Sequence, residues 1–317
     1  MTMFSTRTHN RLDNGRATAL LSLLAFLALF APSKAQAATA CLVLSRKIPP
    51  YEEASKGFRA GFSGKVTDFD MQGGVEGGLA ILPKIAAENC DVIGALGSPA
   101  AKFLKMRIMD KPLVFAMVLN PQAEGISGSN LTGVHLEPSP QASLAALKRI
   151  LPNAKRIGVI YNQANSAAYI ASAQKAAEGM GLELLASQAA TSGEALRILP
   201  SVAEKSDVLW MVPDSSTSSD SVFREMLRLS IQRGLPIFAL SQKHVSEGAL
   251  ATVATDYIAN GMQAGQIAGR VAGGSNPAMI PSEYARKTGW FVNMKTAERM
   301  GISIPADIVK EAVEAYR

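Results

Sequence analysis

The chain has 317 residues, enough for two domains of ordinary size. Apolar residues make up 48% and charged residues only 18%, which excludes a disordered, solvating chain. The net charge of +6 is modest, and no basic stripe interleaved with aromatics accompanies it, so nucleic-acid binding is not expected.

The first 37 residues read as a secretory signal. Arg7, Arg11 and Arg16 give a basic start, residues 17–30 are an apolar run too short to span a bilayer comfortably, and Ala35-Gln36-Ala37 is a small-x-small cleavage site. Cleavage there removes four of the 32 basic residues (Arg7, Arg11, Arg16, Lys34) and one of the 26 acidic ones (Asp13), leaving a net charge of +3. The expected location is the periplasm.

From residue 41 onward strands alternate with helices. Strands are predicted over 41–44, 65–70, 92–96 and 112–118, with amphipathic helices over 51–62 and 77–88 between them. The polar, Gly-rich stretch 125–132 reads as a link between lobes. A second series follows: helix from Gln141, strand 156–161, helix 164–179, strand 182–186, helix 192–203, strand 208–212, helix 223–232 and strand 236–240. Residues 252–256 read as a return crossing, and 258–272 as a helix placed back on the first lobe. A turn over 273–277, a strand over 290–293 and a helix over 296–300 close the chain. This pattern predicts an α/β fold of two doubly wound parallel-sheet lobes joined by a multi-strand hinge. Residues 38–132 with 256–280 form the first lobe, and 133–255 with 281–317 the second.

One unit occurs twice. Asp91-Val-Ile-Gly-Ala-Leu-Gly97-Ser98-Pro99 precedes Lys111-Pro112-Leu-Val-Phe-Ala116; Asp207-Val-Leu-Trp-Met-Val-Pro213-Asp214-Ser215 precedes Leu235-Pro236-Ile-Phe-Ala239. Each reads as a strand, a capped helix start seven residues after the Asp, and a Pro-led strand. Two such lobes facing one another make a cleft suited to a small molecule.

Cys41 and Cys90 are the only cysteines. In a doubly wound sheet their strands are neighbours, so a bridge is geometrically open to them. Two buried free thiols, or a lipid-bearing Cys41, are the alternatives.

Several stretches together resemble the ABC-transporter substrate-binding proteins of the periplasmic-binding-protein type 1 fold, in the branch that includes binders of tryptophan and other amino acids. They are residues 91–101, Asn130-Leu-Thr-Gly-Val134, Leu151 to Asn162, Thr255-Asp-Tyr257, Asn293-Met-Lys-Thr-Ala297 and Met300-Gly-Ile-Ser-Ile-Pro305. The resemblance implies a hinged protein that closes on a small ligand, with an ABC permease as its membrane partner, acting as a monomer without a cofactor. It places the ligand at the carboxyl ends of the strands of both lobes.

Candidate binding residues follow from that placement. Ser98 reads as a helix cap with Pro99 at the first helical position, and the backbone N–H groups between Gly97 and Ala100 suit an anion. Asp214, Ser215 and Ser216 form the matching cap in the second lobe. Asp256 suits a ligand amine and Tyr257 can stack; the alternative for Asp256 is to cap the helix that follows. Asn120 ends a strand where the family often carries Asp-Pro, which weakens the case for a ligand ammonium. Asn162 and Asn165 offer neutral hydrogen bonds. Ser45 and Tyr51 flank a loop whose Arg46 and Lys47 either favour an acidic ligand or are simply solvated. An enzyme is not expected: there is no dinucleotide loop, P-loop or nucleophile elbow, and His9, His135 and His244 lack metal spacing. His135 reads as a satisfied hinge residue. A sensory or accessory protein using the same cleft is the alternative to transport, and neighbouring genes would tell them apart.

Overall fold

The computed structural model describes residues 1–3 and 37–317. The chain divides into the units Met1–Ala37 and Ala38–Arg317. The expected secretory signal, apart from its ends, lies outside the described residues.

The first lobe opens with β1 (Ala38–Leu44), α1 (Pro49–Gly61), β2 (Gly64–Asp70), α2 (Val75–Glu88), β3 (Val92–Leu96), α3 (Ser98–Lys105), β4 (Leu113–Val118) and β5 (Leu131–His135). Its strands form one parallel five-stranded sheet in the order β2-β1-β3-β4-β5. Successive side chains of a strand point to opposite faces. Val43, Ile93 and Phe115 therefore pack towards α2 and α3, while Leu42, Val92 and Val114 pack on the other face. The Gly-rich stretch 125–132 runs into β5 and so belongs to this lobe. The lobe link comes after His135, because β5 completes its pairing with β4 first.

The second lobe contains α4 (Pro140–Ile150), β6 (Arg156–Tyr161), α5 (Gln163–Gly179), β7 (Glu183–Gln188), α6 (Ser192–Lys205), β8 (Val208–Trp210), α7 (Asp220–Arg233), β9 (Ile237–Phe238), α8 (Gln242–Ser246) and β10 (Ala251–Thr255). The chain then returns to the first lobe as α9 (Tyr257–Ala272). It ends with β11 (Thr288–Asn293), α10 (Met294–Met300), α11 (Ala306–Glu311) and β12 (Glu314–Tyr316) back on the second. The sheet order β7-β6-β8-β9-β10 repeats the order of the first lobe. β11 is added antiparallel to β10, and β12 parallel to β11.

The repeated Asp does the same job in both lobes. Asp91 Oδ2 accepts the Thr39 N–H at 2.8 Å, across 52 residues of sequence. Asp207 Oδ2 accepts the Arg156 N–H at 2.8 Å, across 51 residues. Each carboxylate ties the start of its own strand to the start of the neighbour. In the first lobe a disulfide between Cys41 and Cys90 adds a covalent link between the same two strands.

The helices α1 and α9 approach backbone to backbone. A Cβ on Gly57 would stand 1.9 Å from the Ile258 carbonyl oxygen, and one on Gly261 would stand 1.9 Å from that of Ala54. Only glycine fits such a crossing. This contact seats the returning helix on the first lobe.

Candidate functional site

Three crossings connect the lobes: residues 136–139, the junction of β10 with α9, and 281–287. They are knitted together. The His135 N–H donates to the Glu283 carbonyl at 2.8 Å, and the Glu283 N–H donates to Gly133 at 2.9 Å. Asn260 is almost fully buried; its Nδ2 donates to the His135 carbonyl at 2.8 Å and its Oδ1 accepts the Met117 N–H at 3.1 Å. Met117 has φ of 58°, and the β4–β5 register breaks there. The sheet thus gives up one ladder bond to hold the hinge helix.

His135 is the hinge residue expected. Its Nδ1 lies 2.9 Å from Glu137 Oε1 and its Nε2 lies 3.0 Å from Ser282 Oγ. Glu137 Oε2 accepts the Asn120 N–H at 3.0 Å.

Asn120 joins the lobes directly. Its Nδ2 donates to Pro213 O at 2.9 Å and Asn165 O at 3.1 Å, with Ser166 Oγ at 3.4 Å. Its φ of 44° is left-handed, which asparagine tolerates better than most residues.

On the first lobe, Ser45 is buried. It donates to Leu96 O at 2.8 Å and accepts the Ala100 N–H at 3.0 Å. Gly97, not Ser98, is the N-cap of α3, and Ser98 and Pro99 are its first helical residues. The Gly97 N–H donates to Ala116 O at 2.9 Å, so the turn is less bare than its sequence suggests. Gly97 holds φ of 93°, and a Cβ there would lie 2.5 Å from the Tyr51 hydroxyl. Burial raises the Tyr51 pKa, opposed by the charge of Arg46 and a hydrogen bond with Ser45.

On the second lobe, Asp214 does not cap a helix; α7 starts at Asp220 behind Ser219. Asp214 is 1% exposed. Its Oδ2 accepts the Asn162 N–H at 2.7 Å and the Ser166 hydroxyl at 2.9 Å. Its Oδ1 accepts the Ser216 N–H at 3.0 Å and Asn165 Nδ2 at 3.3 Å. Asn162 and Asn165 also donate to Ser216 Oγ, at 3.1 and 2.8 Å. Four candidate residues thus satisfy one another, while Ser215 is exposed.

At the crossing, Asp256 caps α9 by accepting the Ala259 N–H at 2.9 Å, and it pairs with Lys287 Nζ at 2.7 Å. Burial alone would raise its pKa, but the Lys287 ammonium and the cap bond outweigh it and hold the carboxyl below the ordinary range. Burial raises the Tyr257 hydroxyl, helped by the charge of Glu53.

A cavity of about 680 Å³ opens where these crossings meet the carboxyl ends of β8, β9 and β10, within the size range of small-molecule sites. Tyr169, Trp210, Phe238, Tyr257 and Phe291 give it an aromatic lining, with Glu53 and Leu119 reaching in from the first lobe. Of the candidates read from sequence, Asp256 and Tyr257 line it. Asn120 and Asp214 sit next in chain to the lining residues Leu119 and Pro213. Ser45, Tyr51, Gly97, Ser98, Pro99, Ala100, Asn162, Asn165, Ser215 and Ser216 lie outside the lining. Trp210 and Phe238 escaped the sequence reading because an aromatic at a strand end looks like core. Glu53 escaped it because a Glu on an amphipathic helix looks solvated. Among the described residues there is no metal-holding cluster of His, Cys, Asp and Glu, and no helix is long and apolar enough to cross a membrane.

The profile of a family described as ABC transporter substrate binding protein matches residues 56–316. A tyrosine-binding protein of Clostridioides difficile (strain R20291) is 27% identical over 264 residues, covering 80% of this chain and 76% of that protein. Two solved structures are similar. One is an ABC domain from Streptococcus pneumonia in complex with L-Trp, with TM-score 0.59, 23% identity, and coverage of 88% of this chain and 100% of that one. The other is the ligand-free, open structure of a Clostridium difficile substrate binding protein with adhesive properties, with TM-score 0.67, 22% identity, and coverage of 88% and 99%. These structures share the two-lobed periplasmic-binding-protein type 1 fold.

Proposed function

The chain belongs to the ABC transporter substrate-binding protein family, whose members bind substrates rather than transform them, and from that premise we propose that it is the periplasmic binding component of an ABC uptake system for an amino acid or a related carboxylate. In this reading the two lobes close on the ligand and present it to a permease. The observation that carries the reading is the aromatic-lined cavity of about 680 Å³ at the crossings, built from both lobes. It is large enough for an amino acid with a large side chain and walled by residues that bury an apolar body well. The tyrosine-binding relative and the L-Trp complex on the same fold support the ligand class.

The test is a thermal-unfolding screen of the exported protein against amino acids, organic acids and nucleosides. A true ligand at roughly 100-fold its dissociation constant adds about 2.7 kcal/mol of stability. An upward shift confined to amino acids and their relatives is expected. No shift from any compound would contradict a binding function.

A further inference from the structure

The charges around the cavity are unequally engaged. Glu137 is buried, and its two oxygens are taken by His135 and the Asn120 N–H. Asp256 and Lys287 are taken by one another. His244 donates to or accepts from Ser241 Oγ at 2.9 Å, and burial holds its pKa below the ordinary value, so near neutral pH it brings little positive charge. Glu53 differs. It lines the cavity and has no hydrogen-bond or ion-pair partner among the described residues.

Its position is fixed from below. Glu53 stands one turn before Gly57, so both lie on the same side of α1. Gly57 is locked against the Ile258 carbonyl, and Ile258 and Tyr257 line the cavity. The close helix crossing therefore sets Glu53 on the cavity wall it shares with Tyr257, near enough for its charge to act on the Tyr257 hydroxyl. That carboxylate has no cation paired with it among the described residues, so it stands open to a positively charged group entering the cavity.

We propose that Glu53 receives the ammonium group of the ligand, and that this group, rather than a carboxylate, is the main charged determinant of binding. This rests on the cavity being the ligand site. The remaining cation in the lining, Lys287, is already paired with Asp256, so a ligand carboxylate has to compete for it. An ammonium meets no such competition at Glu53. The ligand class that fits is an aromatic or bulky apolar primary amine, with or without an adjacent carboxylate.

Titration calorimetry on the exported protein with matched compounds tests this. L-tyrosine, tyramine and 3-(4-hydroxyphenyl)propionate share one ring and differ only in charge, as do L-tryptophan, tryptamine and indole-3-propionate. The amine-bearing members of a series should bind, and the amine-free acid should bind at least tenfold more weakly. E53Q should weaken the amine-bearing ligands tenfold or more while leaving ligand-free thermal unfolding unchanged. E53K should turn preference towards the amine-free acid. An amine-free acid that binds as well as its amine, unchanged affinity in E53Q, or no binding by any of the six overturns the proposal. The broader screen described above decides separately whether the protein binds a small ligand at all.

Discussion

Asn120 spans the lobes with one amide group, donating to Pro213 O at 2.9 Å and Asn165 O at 3.1 Å. Replacing it with Asp sets a carboxylate against two carbonyl oxygens. N120D is expected to lower stability in chemical denaturation by about 1–3 kcal/mol, the range for leaving buried polar groups unpaired. Asp214 is a stronger case, since a buried carboxylate accepts four hydrogen bonds from Asn162, Asn165, Ser166 and Ser216. D214A should cost about 3 kcal/mol or more in the same measurement, whether or not ligand is present. Asp256 supplies a pH signature. Its folded pKa is depressed against the push of burial by Lys287 and the Ala259 N–H. A depressed carboxylate stabilises fully above its unfolded pKa of about 3.9 and loses that contribution as pH falls through the lower folded value. D256N should therefore melt below wild type at pH 7, by less than about 1 kcal/mol because Lys287 is solvent-facing, and the gap should close in strong acid. The cap at Asp256 was among the readings the sequence offered, but the roles of Asn120 and Asp214 were hard to see, because a residue type shows what it can bind and not which neighbour already holds it. Asp214 and Asn120 read as ligand groups, whereas folding brings several of their partners from more than forty positions away.

The α1–α9 pair sets the sharpest contrast among the elements. G57A or G261A pushes a methyl into a carbonyl oxygen, and overpacking of this kind costs about 1–3 kcal/mol. G269A lies in the same helix α9 with nothing within 4 Å of its new Cβ, so it should stabilise by about 0.5–1 kcal/mol through helix propensity. Thermal unfolding of the three variants gives opposite signs if the crossing is as described. Reducing the Cys41–Cys90 bridge, which closes a sequence separation of 49, should cost about 4 kcal/mol by chain entropy, read as a drop in melting temperature with reductant. Most elements were legible because period 2 and period 3.6 patterns are strong in α/β chains. The exceptions have local causes. β5 (Leu131-Thr-Gly-Val-His135) is short and follows Gly, Ser and Asn, so it looked like linker. α7 begins at Asp220, three residues before the start read from sequence, while Asp214, read as a cap, turns back on Ser216 instead of opening a helix. α8, α11 and β12 are too brief to carry a period.

At the scale of the molecule, the duplicated unit is the frame of both lobes: the same strand order occurs twice, pinned by Asp91 in one lobe and Asp207 in the other. The two similar lobes were readable from the repeat; the strand-tying role of its two Asp residues was not, because it depends on which strand lies alongside. The position of the cavity was not, because it depends on aromatics from β8, β9 and β11 meeting Glu53 and Tyr257 across the crossings. Sequence periodicity shows which residues are apolar but not which of them face a void. The chain carries only two tryptophans, and they occupy different settings. Trp210 lines the cavity, whereas Trp290 donates to Ile308 O at 2.9 Å and stacks under Arg149. In a W290F variant, tryptophan emission therefore reports on the cavity alone. Titration of that variant with L-tyrosine and tyramine should give a saturable change in Trp210 emission, with the same midpoint as the ligand-induced rise in thermal stability. Stabilisation by either compound without any change in Trp210 emission would contradict the cavity as the ligand site.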